Sequence, residues 1–113
     1  MTKSLALLTL IAALLLPHPS AAQAPGPEVI LDNALVRVTV RTFGSGMRSG
    51  QHQGIEAEIG IVAEGDLMLD SPLARAIVHQ GGAYWLPGLT PHDVRNEGSR
   101  PAKLFEIFLK RCD

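Results

Sequence analysis

Of the four histidines in this 113-residue chain, His52, His79 and His92 lie beyond residues 1–24. His52 closes a glycine-rich segment and is followed by Glu56 and Glu58. His92 follows the rigid Pro87-Gly88 turn in GGAYWLPGLTPHDVRN, residues 81–96, and stands at the head of an extended segment. Neutral imidazoles combined with carboxylates suit Fe, Mn, Ni, Cu or Zn. His52, Gly54, Glu56 and Glu58 share one parity, so a regular strand from Gln51 onward would point all four to one face. Buried carboxylates are costly unless paired or coordinated. Inside a small barrel, that face would signal a metal or a polar ligand. With Glu56 and Glu58 toward solvent, Ile55, Ala57, Ile59 and Ile61 would form the core side, as apolar residues ordinarily do. Alternation alone leaves both arrangements open.

The elements that would position these groups read as short strands. Glu28 to Leu31, Leu35 to Val40, Ile55 to Ala63, Leu67 to Asp70, Ala74 to His79, Ala83 to Leu86 and His92 to Asn96 are each bounded by glycine, proline or Asx signals. Ala102 to Lys110 (AKLFEIFLK) fits a helical stripe or an alternating strand. With turn signals every eight to twelve residues elsewhere, it reads as a strand. The pattern predicts an all-β, antiparallel sandwich or barrel. Tyr84 and Trp85 point to opposite faces, one lining the cavity and one packing outside. Arg37, Arg41, Arg48 and Arg95 are candidates to reach a carboxylate ligand at the mouth. His79 is expected at the surface or rim.

Two segments resemble the motifs of the cupin family. The family's first motif runs G-x5-H-x-H-x3,4-E-x6-G, and here Gly46, His52, Glu58 and Gly65 keep its spacing. Gly54 stands where the second histidine belongs. The second motif runs G-x5-P-x-G-x2-H-x3-N, matched by Gly81, Pro87, His92 and Asn96, with Leu89 at the usual glycine. The resemblance spans roughly Val36 to Lys110 and implies a jelly-roll β-barrel. It also implies a divalent transition metal (Fe, Mn, Ni or Zn) on His52, Glu58 and His92. Two imidazoles and one carboxylate form the ligand set of non-haem iron sites with open positions. Glu56 becomes a candidate catalytic base or fourth ligand. The resemblance implies an exported barrel that binds a divalent metal, a small organic ligand or both in its lumen; a metal-dependent enzyme (dioxygenase, isomerase or lyase) on a small organic substrate and a metal-free structural or binding barrel are the alternatives. A homodimer is expected.

Met1 to Ala24 combines Lys3, the apolar run Leu5 to Leu16, and a small-residue end at Ala22-Gln23-Ala24. These are the parts of a secretory signal peptide, expected to be cut after Ala24 and to send the chain to the periplasm or outside the cell. The run is short of the roughly 20 residues that span a bilayer. A linker and first strand occupy residues 25–34 and the barrel domain 35–113. The formal charge is −1 with scattered Lys and Arg, which gives no nucleic-acid footprint. The single cysteine, Cys112, excludes an internal disulfide.

Overall fold

The structure, a computed structural model, describes residues 22–111. Most of the expected leader and Cys112 lie outside the described residues. Eight strands follow in order: β1 (Glu28–Asp32), β2 (Val36–Phe43), β3 (Ala57–Glu64), β4 (Leu67–Asp70), β5 (Arg75–Val78), β6 (Ala83–Leu86), β7 (Asp93–Arg95) and β8 (Ala102–Leu109). They form an antiparallel five-stranded sheet, β1-β2-β8-β3-β6, and a three-stranded sheet, β5-β4-β7. This is the all-β jelly roll. Segment 102–110, the ambiguous one, is a central strand paired with both β2 and β3. Its alternation fits that place: Ala102, Leu104 and Glu106 are buried, while the residues between them are only partly so.

The core lies between the two sheets. Phe43, Val62, Leu86, Leu104 and Val94 are almost fully enclosed, with Leu67 and Leu69 beside them. Each such side chain contributes about 1.5–3 kcal/mol of transfer free energy. On β3 the inward residues are Glu58, Gly60 and Val62, whereas Ile59 is half-buried and Ile61 is 36% exposed. The carboxylate face is therefore the inner one, against the ordinary apolar-in rule. Trp85 pairs across from Ile59 on the outer side and is 55% exposed.

Strand β3 starts later than the alternation suggests. Ile55 and Glu56 form a bend, and regular pairing begins at Ala57. The simple parity from His52 to Glu58 thus fails as strand geometry. At the other motif, His92 precedes β7 and pairs with His52 in an isolated antiparallel bridge.

The motif glycines have a common physical reason. Gly46, Gly65 and Gly81 all have positive φ (77°, 71° and 84°), a region closed to most side-chain-bearing residues. Leu89, at the position where the second motif usually has glycine, adopts φ 63° nonetheless. Its amide donates to Gly54 O at 2.6 Å, and Gly88 lies so close to Ile55 O that a Cβ there would sit 2.2 Å from it. The Pro87–Leu89 turn is thereby clamped on the segment running from His52 to β3. Asn96 is structural: its Nδ2 donates to Phe43 O and Arg100 O, and its Oδ1 accepts from Gly98 N.

Candidate metal centre

The two histidines are fixed by backbone before any metal is considered. In their bridge, His52 N donates to His92 O and His92 N to His52 O, both at 2.9 Å. The ring centroids are 4.1 Å apart. Each ring then uses its Nδ1 on the carbonyl two residues upstream: His52 on Gly50 O at 2.9 Å, His92 on Thr90 O at 3.0 Å. A carbonyl only accepts, so each Nδ1 carries the proton and each neutral ring presents its Nε2 as a lone-pair donor. Such backbone carbonyls are the usual partners that orient ligating histidines.

Glu58 supplies the third group from the inner face of β3. One carboxylate oxygen, Oε1, lies 3.5 Å from His92 Nε2. The other, Oε2, accepts a 2.5 Å hydrogen bond from Tyr84 Oη on β6. The 3.5 Å approach is within ion-pair range but lacks hydrogen-bond geometry, and His92 Nε2 is buried without a partner among the described residues. Donor atoms of His52, Glu58 and His92 lie within 4.8 Å of one another. Orphaned buried nitrogens are rare in folded proteins. The donor set of two imidazoles and one carboxylate fits a divalent transition metal, which would give that nitrogen a partner.

The electrostatics agree with a site built for cationic company. Burial pushes the Glu58 carboxyl up, but the adjacent His92, the Tyr84 hydrogen bond and the nearby His52 outweigh it and hold it below the ordinary value. Burial disfavours the His92 cation, yet Glu58, the Thr90 carbonyl and the Glu106 charge together raise its pKa. Burial and the Glu58 charge raise the Tyr84 phenol far above its usual range, so Tyr84 is a donor only. Glu106 on β8 is 4% exposed and accepts from Thr39 Oγ1 at 3.1 Å. Burial and the nearby Glu58 charge push its carboxyl up.

A cavity of about 100 Å³ opens above the cluster, lined among others by Arg37, His52, Gly54, Glu56, Glu58 and His92. Glu56 thus reaches the same cavity despite the bend, but it stands outside the three-donor group. Its Oε1 lies 3.5 Å from Arg37 Nη1 at the mouth. Of the four arginines, only Arg37 lines this cavity. Arg41 donates to Pro25 O and Ala24 O. Arg48 and Arg95 pair with Asp93, and Arg95 also with Asp70, beside a separate cavity. His79 is exposed and pairs with Asp66.

Sequence reading missed three participants: Tyr84 as the partner of Glu58, Gly60 as the residue that admits it, and Glu106 as a second interior acid. A Cβ on Gly60 would lie 1.9 Å from Tyr84 Cε2, so only glycine lets the ring lie across β3. The signals were present. Gly60 shares the parity of Glu58, and Glu106 shares that of Leu104 and Phe108, but neither names a partner without the register.

Residues 37–108 match the family described as Cupin domain. No curated protein matches the chain. Among solved structures, a cupin domain from Bordetella pertussis Tohama I is similar at 26% identity, covering 83% of this chain and 100% of that one, with a TM-score of 0.70. A protein from Thermus thermophilus is 19% identical over 89% of this chain and 95% of that one, TM-score 0.70. A cupin superfamily protein from Desulfitobacterium hafniense is 13% identical over 88% and 87%, TM-score 0.69.

Proposed function

The chain belongs to the cupin domain family, and on that premise we propose that it holds a divalent transition metal on His52, Glu58 and His92 and offers it to a small organic ligand in the cavity above. The observation that carries this reading is the buried, unpartnered Nε2 of His92 beside a carboxylate oxygen that it does not hydrogen-bond. Fe, Mn, Ni and Zn all suit the donor set. Gly54 contributes no side chain where a fourth ligand would stand, which leaves coordination positions open to a ligand or water. When bound, such a metal supplies Lewis-acid polarisation of a ligand oxygen or activates water or O2. In an enzymatic form of this reading, on a dioxygenase, isomerase or lyase substrate, Glu56 is the catalytic base at the cavity mouth.

The sequence of residues 1–24 supports export to the periplasm or beyond. Among the described residues no helix is long and apolar enough to cross a membrane. A homodimer through the outer sheet is part of the proposal. Trp85, Ile61 and Leu31 are exposed on the large sheet or its edge strands, and an apolar face of this kind marks association surfaces. Light scattering at increasing concentration reads the dimer directly; a monomer throughout removes that part.

The test of the centre is metal titration of purified, chelator-stripped protein. Wild type should take up one metal per chain, and His52→Ala and His92→Ala should each lose it. Gly54→His should tighten binding, because a Cβ at Gly54 has open space, its nearest neighbour being Glu56 Oε2 at 3.8 Å. Uptake unchanged in the histidine variants would reject the site.

A further inference from the structure

The cavity has a charged mouth as well as a ligand-lined floor, and the mouth is incompletely satisfied. Arg37 projects from the inner face of β2 with its guanidinium over the Phe108 ring, 4.8 Å from the centroid. Stacking on an aromatic face fixes the plane of the guanidinium and leaves its edge available for a planar acceptor. The one side-chain hydrogen bond Arg37 makes among the described residues is to Glu56 Oε1, at the outer limit of 3.5 Å. A guanidinium has five N–H donors, and the strong arrangement with a carboxylate is two parallel bonds at about 2.7–2.9 Å. The Glu56 contact is single and long. Glu56 is thus a weak internal occupant of a position suited to an external carboxylate.

Gly54 also lines the cavity, and a Cβ there would meet only Glu56 Oε2, at 3.8 Å, so the missing side chain leaves space beside Glu56. The cavity is small, about 100 Å³. That limits the enclosed part of a ligand to a short acid. Arg37 at one end and a metal at the other make both ends of the space favourable to oxygen donors with negative charge.

We propose that the ligand of this centre is a small carboxylate anion, two to four carbons long, whose carboxylate takes the Arg37 fork in place of Glu56 while another oxygen faces the metal. This rests on the metal reading above and names the ligand class of that same site. Glu56 acts as the competitor: it keeps Arg37 in place in the empty cavity and gives way to the stronger acceptor.

The experiment uses full-length Mn²⁺-loaded protein and two probes of the same shape, lactate and its neutral counterpart lactamide, followed by paramagnetic broadening of the methyl proton signal. Lactate should bind about ten- to a hundred-fold more tightly than lactamide, the range for hydrogen bonds to a charged group. Arg37→Gln should abolish most of that preference, Arg37→Lys should keep part of it, and Glu56→Gln should tighten lactate. A preference that survives Arg37→Gln would come from the metal alone and would overturn the proposal. So would equal binding of the two probes to wild type. A parallel Mn²⁺ titration separates the two readings: no uptake sinks the metal centre and this inference with it, whereas full uptake without an Arg37-dependent preference sinks the inference alone.

Discussion

Gly60→Ala reverses the sign that secondary-structure propensity gives it. In a strand interior, replacing glycine by alanine ordinarily stabilises by about 0.5–1 kcal/mol. Here the added Cβ would lie 1.9, 2.1 and 2.6 Å from Tyr84 Cε2, Cζ and Cδ2. Carbon atoms rest at about 3.5–4.0 Å, so the ring must retreat by about 1.5 Å. The Tyr84 Oη–Glu58 Oε2 distance, 2.5 Å, then opens beyond hydrogen-bond range. Overpacking costs about 1–3 kcal/mol. Loss of a hydrogen bond to a charged group costs about 1.5–3 kcal/mol. A net destabilisation of about 3–5 kcal/mol follows, a large part of the roughly 5–15 kcal/mol of a typical domain. Urea denaturation of the metal-free protein measures it. Tyr84→Ala removes the obstructing ring, so Gly60→Ala should cost almost nothing in that background, giving a coupling of several kcal/mol in the double-mutant cycle. A Gly60→Ala protein as stable as wild type, or costs that simply add, would refute the account of how β3 admits Tyr84.

Leu89→Gly should stabilise by about 1 kcal/mol in thermal or urea melts, because Leu89 sits at φ 63°, where a Cβ is penalised. Tyr84→Phe should leave the fold intact and weaken metal affinity about 10–100-fold in competition titrations, since it frees Glu58 Oε2 without touching a donor atom. The metal-free protein should lose stability as pH rises from about 6.5: the raised pKa of His92 makes its stabilising contribution complete below the unfolded value and lost as pH passes the folded one. Metal should invert that slope, because binding needs the neutral ring, and urea midpoints at about pH 6 and 8 with and without metal read both signs. Glu106→Gln should stabilise the protein at neutral pH, because its raised carboxyl pKa marks a charge the interior disfavours; a less stable variant there contradicts that assignment.

How far the residues alone reached is clearest at β3. The alternation in IEAEIGIVA gave two faces but not which was inside, and the apolar rule favours the wrong one. The motif spacing decided it, because its glycines mark positive-φ turns and its histidine and glutamate positions mark the interior. The spacing carries the three-donor cluster as well, with Gly65 and Gly81 turning the chain just ahead of β4 and β6. The bend at Ile55-Glu56 was not legible: it lies where Gly88, distant in sequence, packs closely on Ile55. For the same reason, cross-strand register separates Arg37 from Arg41, Arg48 and Arg95, and joins Tyr84 to Glu58. Pairings of that kind depend on residues far apart in sequence, and one chain's alternation does not encode them.

The most direct measurement is anomalous X-ray diffraction from crystals of the protein grown with Zn²⁺ or Mn²⁺. The account predicts one strong peak per chain, about 2.0–2.2 Å from His52 Nε2, His92 Nε2 and a single Glu58 oxygen, with Tyr84 still holding the other. No peak between these three side chains at saturating metal, or a peak bound elsewhere, would contradict it.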